Sequence, residues 1–450
     1  MMDIVALLHC LQPHLTAPTL RQYSRITYAL LVMTGRVTML GLARWAGKGG
    51  SYRTVQRFFS TVLPWATLFW VFFRQHLYCP EDVYVLAGDE VVVTKAGKPT
   101  HGLDRFFSSL YGKPVPGLAF FTVSLVSIQA RHAFPLRVEQ VVRSAAEKAA
   151  SKAKAAAKKP QGLGAKRRPG RPQGSTNHPK ATVTFTPELV RSKAMLTALL
   201  HLITTVLSVT SLVLDGHFGH HTALDMARQC ALHLIATLRC DAALSCPYTG
   251  PYAGRGPHRQ YGGKVDYDTI PVPYLKETTV ERHMETRLYQ MPLLHKEFAQ
   301  PFNVVLIAQT TLHTQARAHV ILFSSDLALA YAPLVDYYRL RFHIEFNCRD
   351  AKQYWGLEDF MNVTPVGVTN AANLALFMVN MAYRLRADIH ARDPHYSVLD
   401  LKADWRGAQY VEETIQRLPE KPEPVLFAKM LHQVTGLGRI HGSPPSFSFS

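Results

Sequence analysis

The segment YVLAGDEVVV, residues 84–93, is an apolar and β-branched run with acidic side chains only at Asp89 and Glu90. A run of this length and composition predicts a strand in the middle of a sheet. Two more strand-like segments follow it, AFFTVSLVSIQ at 119–129 and AFPLRVEQVV at 133–142. The three segments predict a three-stranded meander that carries Asp89 on its first strand.

Alternating helical and strand-like patterns continue downstream of the meander. The predicted elements are, in order, a long helix (about 187–207), a strand (209–215), a helix (near 221–231), a strand (near 232–239), β-like pieces such as FNVVLIAQ within 245–325, a helix (about 327–353) and the apolar helix NAANLALFMVNMAYRLRADIHA. This order predicts an α/β fold with a ribonuclease H-like mixed-sheet catalytic core. The core is expected to carry a β-rich insertion and an all-helical N-terminal domain.

The charge balance indicates a polyanionic partner. The chain has a formal net charge of +18 and a sequence pI of about 9.7, which fits nucleic acid or an anionic membrane surface. Residues 143–180 hold eleven Lys and Arg residues and one acid, Glu147, so this segment alone carries +10. Its Pro and Gly content and its charge repulsion predict a mobile linker.

Within this linker, RRPGRP at 167–172 resembles an AT-hook, a short arginine-glycine-arginine-proline motif. The resemblance implies that Arg168 and Arg171 enter a narrow A·T-rich minor groove. An equally good interpretation is an unspecific basic linker that binds phosphates with counterion release. Both interpretations predict that the tract raises DNA affinity in a salt-dependent manner.

Residues 1 to about 78 show helical patterns without clear period-2 alternation. In LGLARWAGKGGSYRTVQRFFS, residues 40–60, two helical segments flank a Gly-rich turn, and this arrangement resembles a helix-turn-helix. A plain helical hairpin explains the pattern about as well. If the segment binds DNA, Arg53 and Arg57 on its second helix are the candidate contacts.

Several other classes of protein are disfavoured. The six cysteines form no CxxC pair, so a zinc site is poorly supported and reduced cytosolic thiols are expected. The apolar run at 194–214 contains His201 and leads straight into Asp215, so we predict a buried helix followed by a core strand rather than a membrane span. No secretory leader is expected, and the absence of a P-loop motif disfavours an ATPase of that class.

A further stretch, YYRLRFHIEFNCRDAKQYWGLEDF at 337–360, places chemically useful side chains at regular spacing. On one continuous helix, Tyr338, Arg341, Glu345 and Lys352 fall within an arc of roughly 60°. A carboxylate flanked by two cations and a phenol suits a site where metal and phosphate meet. An ordinary solvated face with charge pairs is the alternative, and spacing alone favours that alternative.

The pattern Y-x2-R-x3-E-x6-K closely resembles the YREK signature of bacterial insertion-sequence DDE transposases, and the resemblance extends over about residues 20–390. It implies that Glu345 is the third catalytic carboxylate and that Tyr338, Arg341 and Lys352 contact the terminal DNA phosphates. The first two carboxylates of the family match Asp89 in LAGDEVVVTKAGKPTHG and Asp215 in SLVLDGHFG.

Each of these two aspartates ends or interrupts an apolar strand, where an unpaired charge is costly unless it binds metal. Hard oxygen ligands select Mg²⁺ or Mn²⁺, and we expect two such ions roughly 3.5–4 Å apart. Other carboxylates fit less well. Glu90 points to the opposite sheet face, and Asp350 turns away from the site face of the helix. Asp104 and Asp225 fall in a predicted loop and a predicted helix.

After Asp215 the sequence GHFGHH departs from the aromatic or small polar run that the family often carries. His217, His220 and His221 raise the alternative of a zinc cluster. Because no cysteine accompanies them, histidines of a loop near DNA are the favoured interpretation.

The resemblance implies a DNA transposase that nicks the ends of a mobile element with metal-activated water and joins the freed 3′-hydroxyl to target DNA. The implied partners are double-stranded DNA, as terminal inverted repeats and target DNA, and a second copy in a homodimer on DNA, with no membrane. The implied location is the bacterial cytoplasm, in association with the nucleoid. A non-catalytic DNA-binding protein, domesticated or inactive, is the alternative, and the intact carboxylates argue against it. A membrane-associated basic protein is a remote third hypothesis.

The expected domain organisation follows from these patterns. It comprises a helical DNA-binding domain (1–78), a first part of the core (79–142), the basic linker (143–185), a second part of the core (186–244), the β-rich insertion (245–325), the catalytic and closing helices (326–395) and a C-terminal tail region (396–450).

Overall fold

The sheet that begins at residue 84 organises the computed structural model, which describes residues 3–97, 100–108, 111–157, 184–252, 254, 258–298 and 300–441. Its strands are β1 (Tyr84–Thr94), β2 (Asp104–Ser108), β3 (Lys113–Ser127), β4 (His132–Gln140), β5 (Ser211–Val213), β6 (His233–Leu238), β7 (Leu244–Pro247), β8 (Tyr261–Lys264), β9 (Leu275–Glu281), β10 (Met284–His295), β11 (Phe302–Thr311) and β12 (Arg317–Ser324). They lie in the order β2-β3-β1-β5-β6-β12-β11-β10-β7-β8, with β4 beside β3 and β9 beside β10.

The predicted meander is confirmed. Strand β1 pairs antiparallel with β3, placing Asp89 opposite Thr122, and β3 pairs antiparallel with β4. Strand β2 is an additional element that pairs with the first part of β3. Strands β5 and β6 then run parallel to β1 on its other side. An antiparallel meander beside parallel strands makes a mixed sheet, which is consistent with a ribonuclease H-like core.

The strand-rich stretch after β6 extends this sheet. Strand β12 pairs antiparallel with β6, and β11 and β10 follow it. The inner parts of these strands are apolar and fully buried, as at Val305 and Phe323, so they share the hydrophobic core with β6. Strand β9 carries LKETTVE and is almost entirely exposed. The predicted β-rich stretch is therefore continuous with the main sheet along one side.

The helices are α1 (Ile4–Leu8), α2 (Ala17–Val32), α3 (Met39–Trp45), α4 (Tyr52–Ser60), α5 (Trp65–His76), α6 (Ala145–Ala157), α7 (Pro187–Ile203), α8 (His221–Gln229), α9 (Tyr331–Leu340), α10 (His343–Tyr354), α11 (Pro365–His390), α12 (Val398–Gln416) and α13 (Pro424–Thr435). Helix α6 lies inside the segment predicted as a mobile linker. A helix forms there because the alanine-rich sequence favours helix over irregular chain. Arg168 and Arg171 of the AT-hook-like tract lie outside the described residues.

The prediction of one continuous helix over about 327–353 is wrong. Helix α9 ends at Leu340, α10 begins at His343, and Arg341 and Phe342 lie between them. The backbone amides of Ile344 and Glu345 donate to residues three positions earlier, at 3.0 Å each, so the chain tightens here. Neither Gly nor Pro marks the break in the sequence. Tyr338 and Arg341 therefore precede the helix that carries Glu345.

The apolar run at 194–214 divides as predicted. Helix α7 ends at Ile203, and β5 begins at Ser211. None of the helices in the described ranges is long and apolar enough to cross a membrane. The run is thus a core helix and a core strand, with residues such as Leu199 and Leu212 fully buried.

The N-terminal helices pack on the apolar helix α11. The ring of Phe377 contacts the rings of Tyr23, Trp65, Phe69 and Phe72 at centroid distances of 5.0–6.3 Å. Aromatic contacts of this kind add to the burial of apolar area. They fix the N-terminal helical layer against the helix that closes the core.

Helices α3 and α4 match the predicted pair of short helices. Val55, Phe58 and Phe59 face the core, whereas Arg53 and Arg57 are exposed on α4. The hairpin and helix-turn-helix interpretations both remain compatible with this arrangement.

Two helices occupy the region predicted as a C-terminal tail. Helix α12 packs against α2, and the buried Lys402 joins three elements there. Its Nζ donates to the carbonyls of Leu30 and Tyr354 and lies 4.8 Å from the ring centre of Trp355. Burial lowers the pKa of Lys402 to about 7, and nearby Arg406 acts in the same direction.

This lowered pKa predicts a pH-dependent stability. The unfolded chain binds the Lys402 proton up to about pH 10.4, whereas the folded chain releases it near pH 7. Stability therefore rises between these values by up to about 1.4 kcal/mol per pH unit. We expect Lys402→Met to gain stability relative to wild type at pH 6.5 and to lose that advantage toward pH 9.5. Thermal unfolding of both proteins across this range tests it, and parallel curves would contradict it.

Candidate active site

Asp89 lies on β1 with a mostly buried side chain that is 24% exposed. Burial raises the pKa of its carboxyl to about 6, Arg341 acts to lower it, and the charges of Asp215 and Glu345 raise it further. The charges of the other two predicted carboxylates therefore both act on Asp89. The three carboxylates come from three distant parts of the chain.

Asp215 lies two residues beyond the end of β5. Its Oδ1 accepts a hydrogen bond from the backbone amide of His217 at 3.1 Å, which caps a short turn. Gly219 allows this turn to pass close to β6, because a Cβ there would come within 2.0 Å of the carbonyl oxygen of Thr237. The loop after Asp215 also contacts α7 through an ion pair of 3.3 Å between His217 and Glu188.

Glu345 lies in the first turn of α10, where a negative charge interacts favourably with the helix dipole. Its side chain is 43% exposed, and its Oε1 lies 3.3 Å from Nη2 of Arg341. Of the two carboxylates that Arg341 pairs with, this one is the more open to solvent.

Arg341 connects two of the three carboxylates. Its Nη1 lies 3.5 Å from Oδ2 of Asp89, while its Nη2 reaches Glu345. The guanidinium is largely buried and 5.7 Å from the ring centre of Tyr338. Its Nε is buried without a hydrogen-bond partner among the described residues. A positive charge thus lies between Asp89 and Glu345.

Tyr338 and Lys352, the other predicted phosphate contacts, belong to α9 and α10. The hydroxyl of Tyr338 is 3.4 Å from Oγ1 of Thr237, at the end of β6. Lys352 donates to the carbonyl of Val92 at 3.0 Å and pairs with Glu358 at 3.4 Å. Lys352 is therefore tied to β1 and to the loop after α10.

Lys95, which was not among the predicted site residues, contacts the same loop as Lys352. Its Nζ donates to the carbonyls of Glu358 and Phe360 at 2.7 Å each and lies 3.9 Å from the ring centre of Phe360. Together with Lys352, it holds the loop after α10 against the end of β1. The only signal in the sequence was its place in the Lys/Gly run downstream of Asp89.

The rejected carboxylates have different surroundings. Burial raises the pKa of Glu90, with Glu188 as the next contribution, so its neighbours lie on the α7 side of the sheet. Asp350 pairs with Arg349 at 3.3 Å. Asp225 lies in α8, as expected, whereas Asp104 begins β2 rather than lying in a loop.

The three loop histidines have separate partners. His217 pairs with Glu188, His221 lies 3.9 Å from Glu297, and the ring of His220 accepts a hydrogen bond from the first turn of α8. Across the described ranges, no group of three or more His, Cys, Asp or Glu side chains is arranged to hold a metal ion. This absence concerns both the zinc cluster considered for the three histidines and the three predicted carboxylates in their present positions.

The chemistry of the carboxylate group nevertheless suits a divalent cation. Three carboxylates without a soft ligand are the donors that Mg²⁺ and Mn²⁺ prefer. The guanidinium of Arg341 already places a positive charge between Asp89 and Glu345. The residues present therefore fit a cation, provided that Arg341 gives up these contacts.

Comparison with known proteins adds a family assignment. A family model described as DDE superfamily endonuclease matches residues 10–292, which is more than half of the chain. The matched region includes Asp89 and Asp215 and ends before α10, so it does not cover Glu345. No curated protein matched the chain. The chain belongs to the DDE superfamily endonucleases.

Proposed function

We propose that this protein is a metal-dependent DNA transposase, which cleaves the ends of a mobile element and transfers the freed strand to target DNA. Two observations support the proposal: Arg341 pairs with both Asp89 and Glu345, and the charge of Asp215 acts on Asp89, in a chain that belongs to the DDE endonucleases. Carboxylates from a central strand, a neighbouring strand end and a helix would then act as one group.

In this proposal Asp89, Asp215 and Glu345 hold two Mg²⁺ or Mn²⁺ ions. Bound ions of this kind activate water or a 3′-hydroxyl and stabilise the leaving oxygen of a phosphodiester. The chain itself supplies the buried walls around Asp89, which limit the access of bulk water, and the turn that fixes Asp215. The expected YREK residues Tyr338, Arg341 and Lys352 would orient the scissile phosphate.

DNA binding beyond the active site would use other basic surfaces. Arg53 and Arg57 are exposed on α4 and are the candidates for recognising the terminal inverted repeats. Arg168 and Arg171 would add contacts through the basic tract. Since two element ends must be cleaved together, we propose a homodimer on DNA. The net charge of +18 supports a DNA partner.

A non-catalytic DNA-binding protein is the second candidate. One observation favours it: Arg341 pairs with two of the carboxylates, as an inactive site would allow. The two candidates differ in whether the protein cuts DNA.

Removing the metal distinguishes the transposase from the non-catalytic DNA-binding protein. With an end-labelled duplex that contains the DNA flanking the coding region, we expect cleavage at a defined position with Mg²⁺ or Mn²⁺. Cleavage should stop with EDTA and return when metal is restored, because the proposed chemistry depends on the divalent ions that the carboxylates hold. DNA binding, measured in parallel by gel shift, should persist in EDTA. Binding without cleavage in either metal would favour the non-catalytic candidate.

A further inference from the structure

We infer that Arg341 occupies the cation position in the DNA-free protein, and that DNA promotes metal binding by drawing Arg341 away from Asp89 and Glu345. This inference rests on the proposed function and adds to it an order of events. The site would bind metal weakly until a DNA phosphate offers the guanidinium a different partner.

The contacts make Arg341 and a metal ion direct competitors. Arg341 pairs with Oδ2 of Asp89 and Oε1 of Glu345 at 3.5 and 3.3 Å. Mg²⁺ binds carboxylate oxygens at roughly 2.0–2.1 Å and repels a second cation on the same oxygens. Both cannot hold these two oxygens at once. Loading of the site therefore requires the guanidinium to move.

Among Tyr338, Arg341 and Lys352, Arg341 is the residue whose present position leaves a polar group unsatisfied. Its Nε is buried without a hydrogen-bond partner in the described part of the chain, so its present position leaves one donor unused. It lies where α9 has ended and α10 has not begun, next to the exposed Phe342. Lys352, by contrast, is anchored to the Val92 carbonyl.

A DNA phosphate is the partner that suits the released side chain. Guanidinium binds phosphate through two parallel, charge-assisted hydrogen bonds. Its present contacts of 3.5 and 3.3 Å to two separate carboxylates do not have this bidentate geometry. The coupling must be reciprocal: if DNA raises the affinity for metal, metal raises the affinity for DNA by the same factor.

The test is Mn²⁺ binding to the full-length protein, measured by titration calorimetry without DNA. We expect Arg341→Gln to bind Mn²⁺ roughly tenfold more tightly than wild type, since the competing charge is gone. Arg341→Lys keeps a competing charge and should stay closer to wild type. Arg349→Gln is the matched control on α10, because Arg349 pairs only with Asp350 among the acids of the described residues. Unchanged or weaker binding by Arg341→Gln would overturn the inference.

A second measurement uses the wild-type protein and so does not depend on how a variant folds. A short random-sequence duplex with 5′-phosphates should tighten Mn²⁺ binding by wild type several-fold, after subtraction of Mn²⁺ bound by the duplex alone. The same duplex should have no such effect on Arg341→Gln. A duplex that leaves the wild-type Mn²⁺ affinity unchanged would contradict the inference.

Failure of the inference can be told from failure of the proposed function. If, with the duplex present, Asp215→Asn and Glu345→Gln bind Mn²⁺ as wild type does, the carboxylates are not the metal site, and both the inference and the proposed function are wrong. If these variants lose Mn²⁺ binding while Arg341→Gln is no tighter than wild type, the metal site stands and the role of Arg341 is wrong.

Discussion

Replacing Glu345 with Gln, or Asp215 with Asn, should lower the rate of DNA cleavage by on the order of 10³-fold or more. Each change keeps the shape of the side chain and removes a charged oxygen ligand, so the site loses affinity for its cations. Because neither side chain lies in the basic surfaces, the affinity for DNA should fall by no more than the several-fold coupling expected between DNA and metal. End-labelled cleavage and gel-shift assays with the same duplex measure both quantities.

Asp350→Asn is the control for these variants. Asp350 lies on the same helix as Glu345 and pairs with Arg349, away from Asp89. Its replacement by an amide should leave cleavage within a few-fold of wild type. If Glu345→Gln and Asp215→Asn cut DNA as fast as Asp350→Asn, the assignment of the three carboxylates is wrong.

The second large effect concerns stability. Asn370 is a buried residue of α11 whose Oδ1 accepts a hydrogen bond from Nε1 of Trp65 at 2.8 Å. Its Nδ2 lies 3.3, 3.0 and 2.7 Å from the carbonyls of Phe58, Phe59 and Thr61. One amide therefore satisfies the end of α4 and the start of α5 at the same time.

Asn370→Ala should lower the free energy of unfolding by about 2–4 kcal/mol, because several buried polar groups lose their partner together. The midpoint of urea unfolding, followed by tryptophan fluorescence and far-ultraviolet circular dichroism, measures the change. Thr369→Ala is the control, since Thr369 is the exposed neighbour on α11. Equal midpoints for the two variants would show that Asn370 does not join the N-terminal helices to α11.

The strands around Asp89 were predictable because their apolar runs are long and regular. Strands β1, β3 and β4 lie close to their predicted ranges, with the start of β3 six residues earlier. Strand β5 is only Ser211–Val213, so Asp215 follows the strand after a gap. The pairing of β12 with β6 depends on contacts between residues about 85 positions apart, for example Ile321 and Leu238, which no local pattern encodes.

The sequence singled out the residues of the candidate site but not their arrangement. Spacing on one ideal helix grouped Tyr338, Arg341, Glu345 and Lys352. The helix is interrupted at Arg341, however, where no Gly or Pro in the sequence predicts an interruption. In the structure, Arg341 pairs with Asp89, and Lys352 donates a hydrogen bond to a carbonyl of β1. Both outcomes depend on strand β1, more than 240 residues away in the sequence.

The central claim is that Asp89, Asp215 and Glu345 together hold two divalent ions on DNA. Anomalous scattering from Mn²⁺ in crystals of the full-length protein bound to a duplex of the element end tests it most directly. The account predicts two Mn²⁺ peaks, roughly 3.5–4 Å apart, in contact with these three carboxylates, and Arg341 on a DNA phosphate. Ordered DNA with no Mn²⁺ at the three carboxylates, or with Arg341 still paired to Asp89 and Glu345, would contradict it.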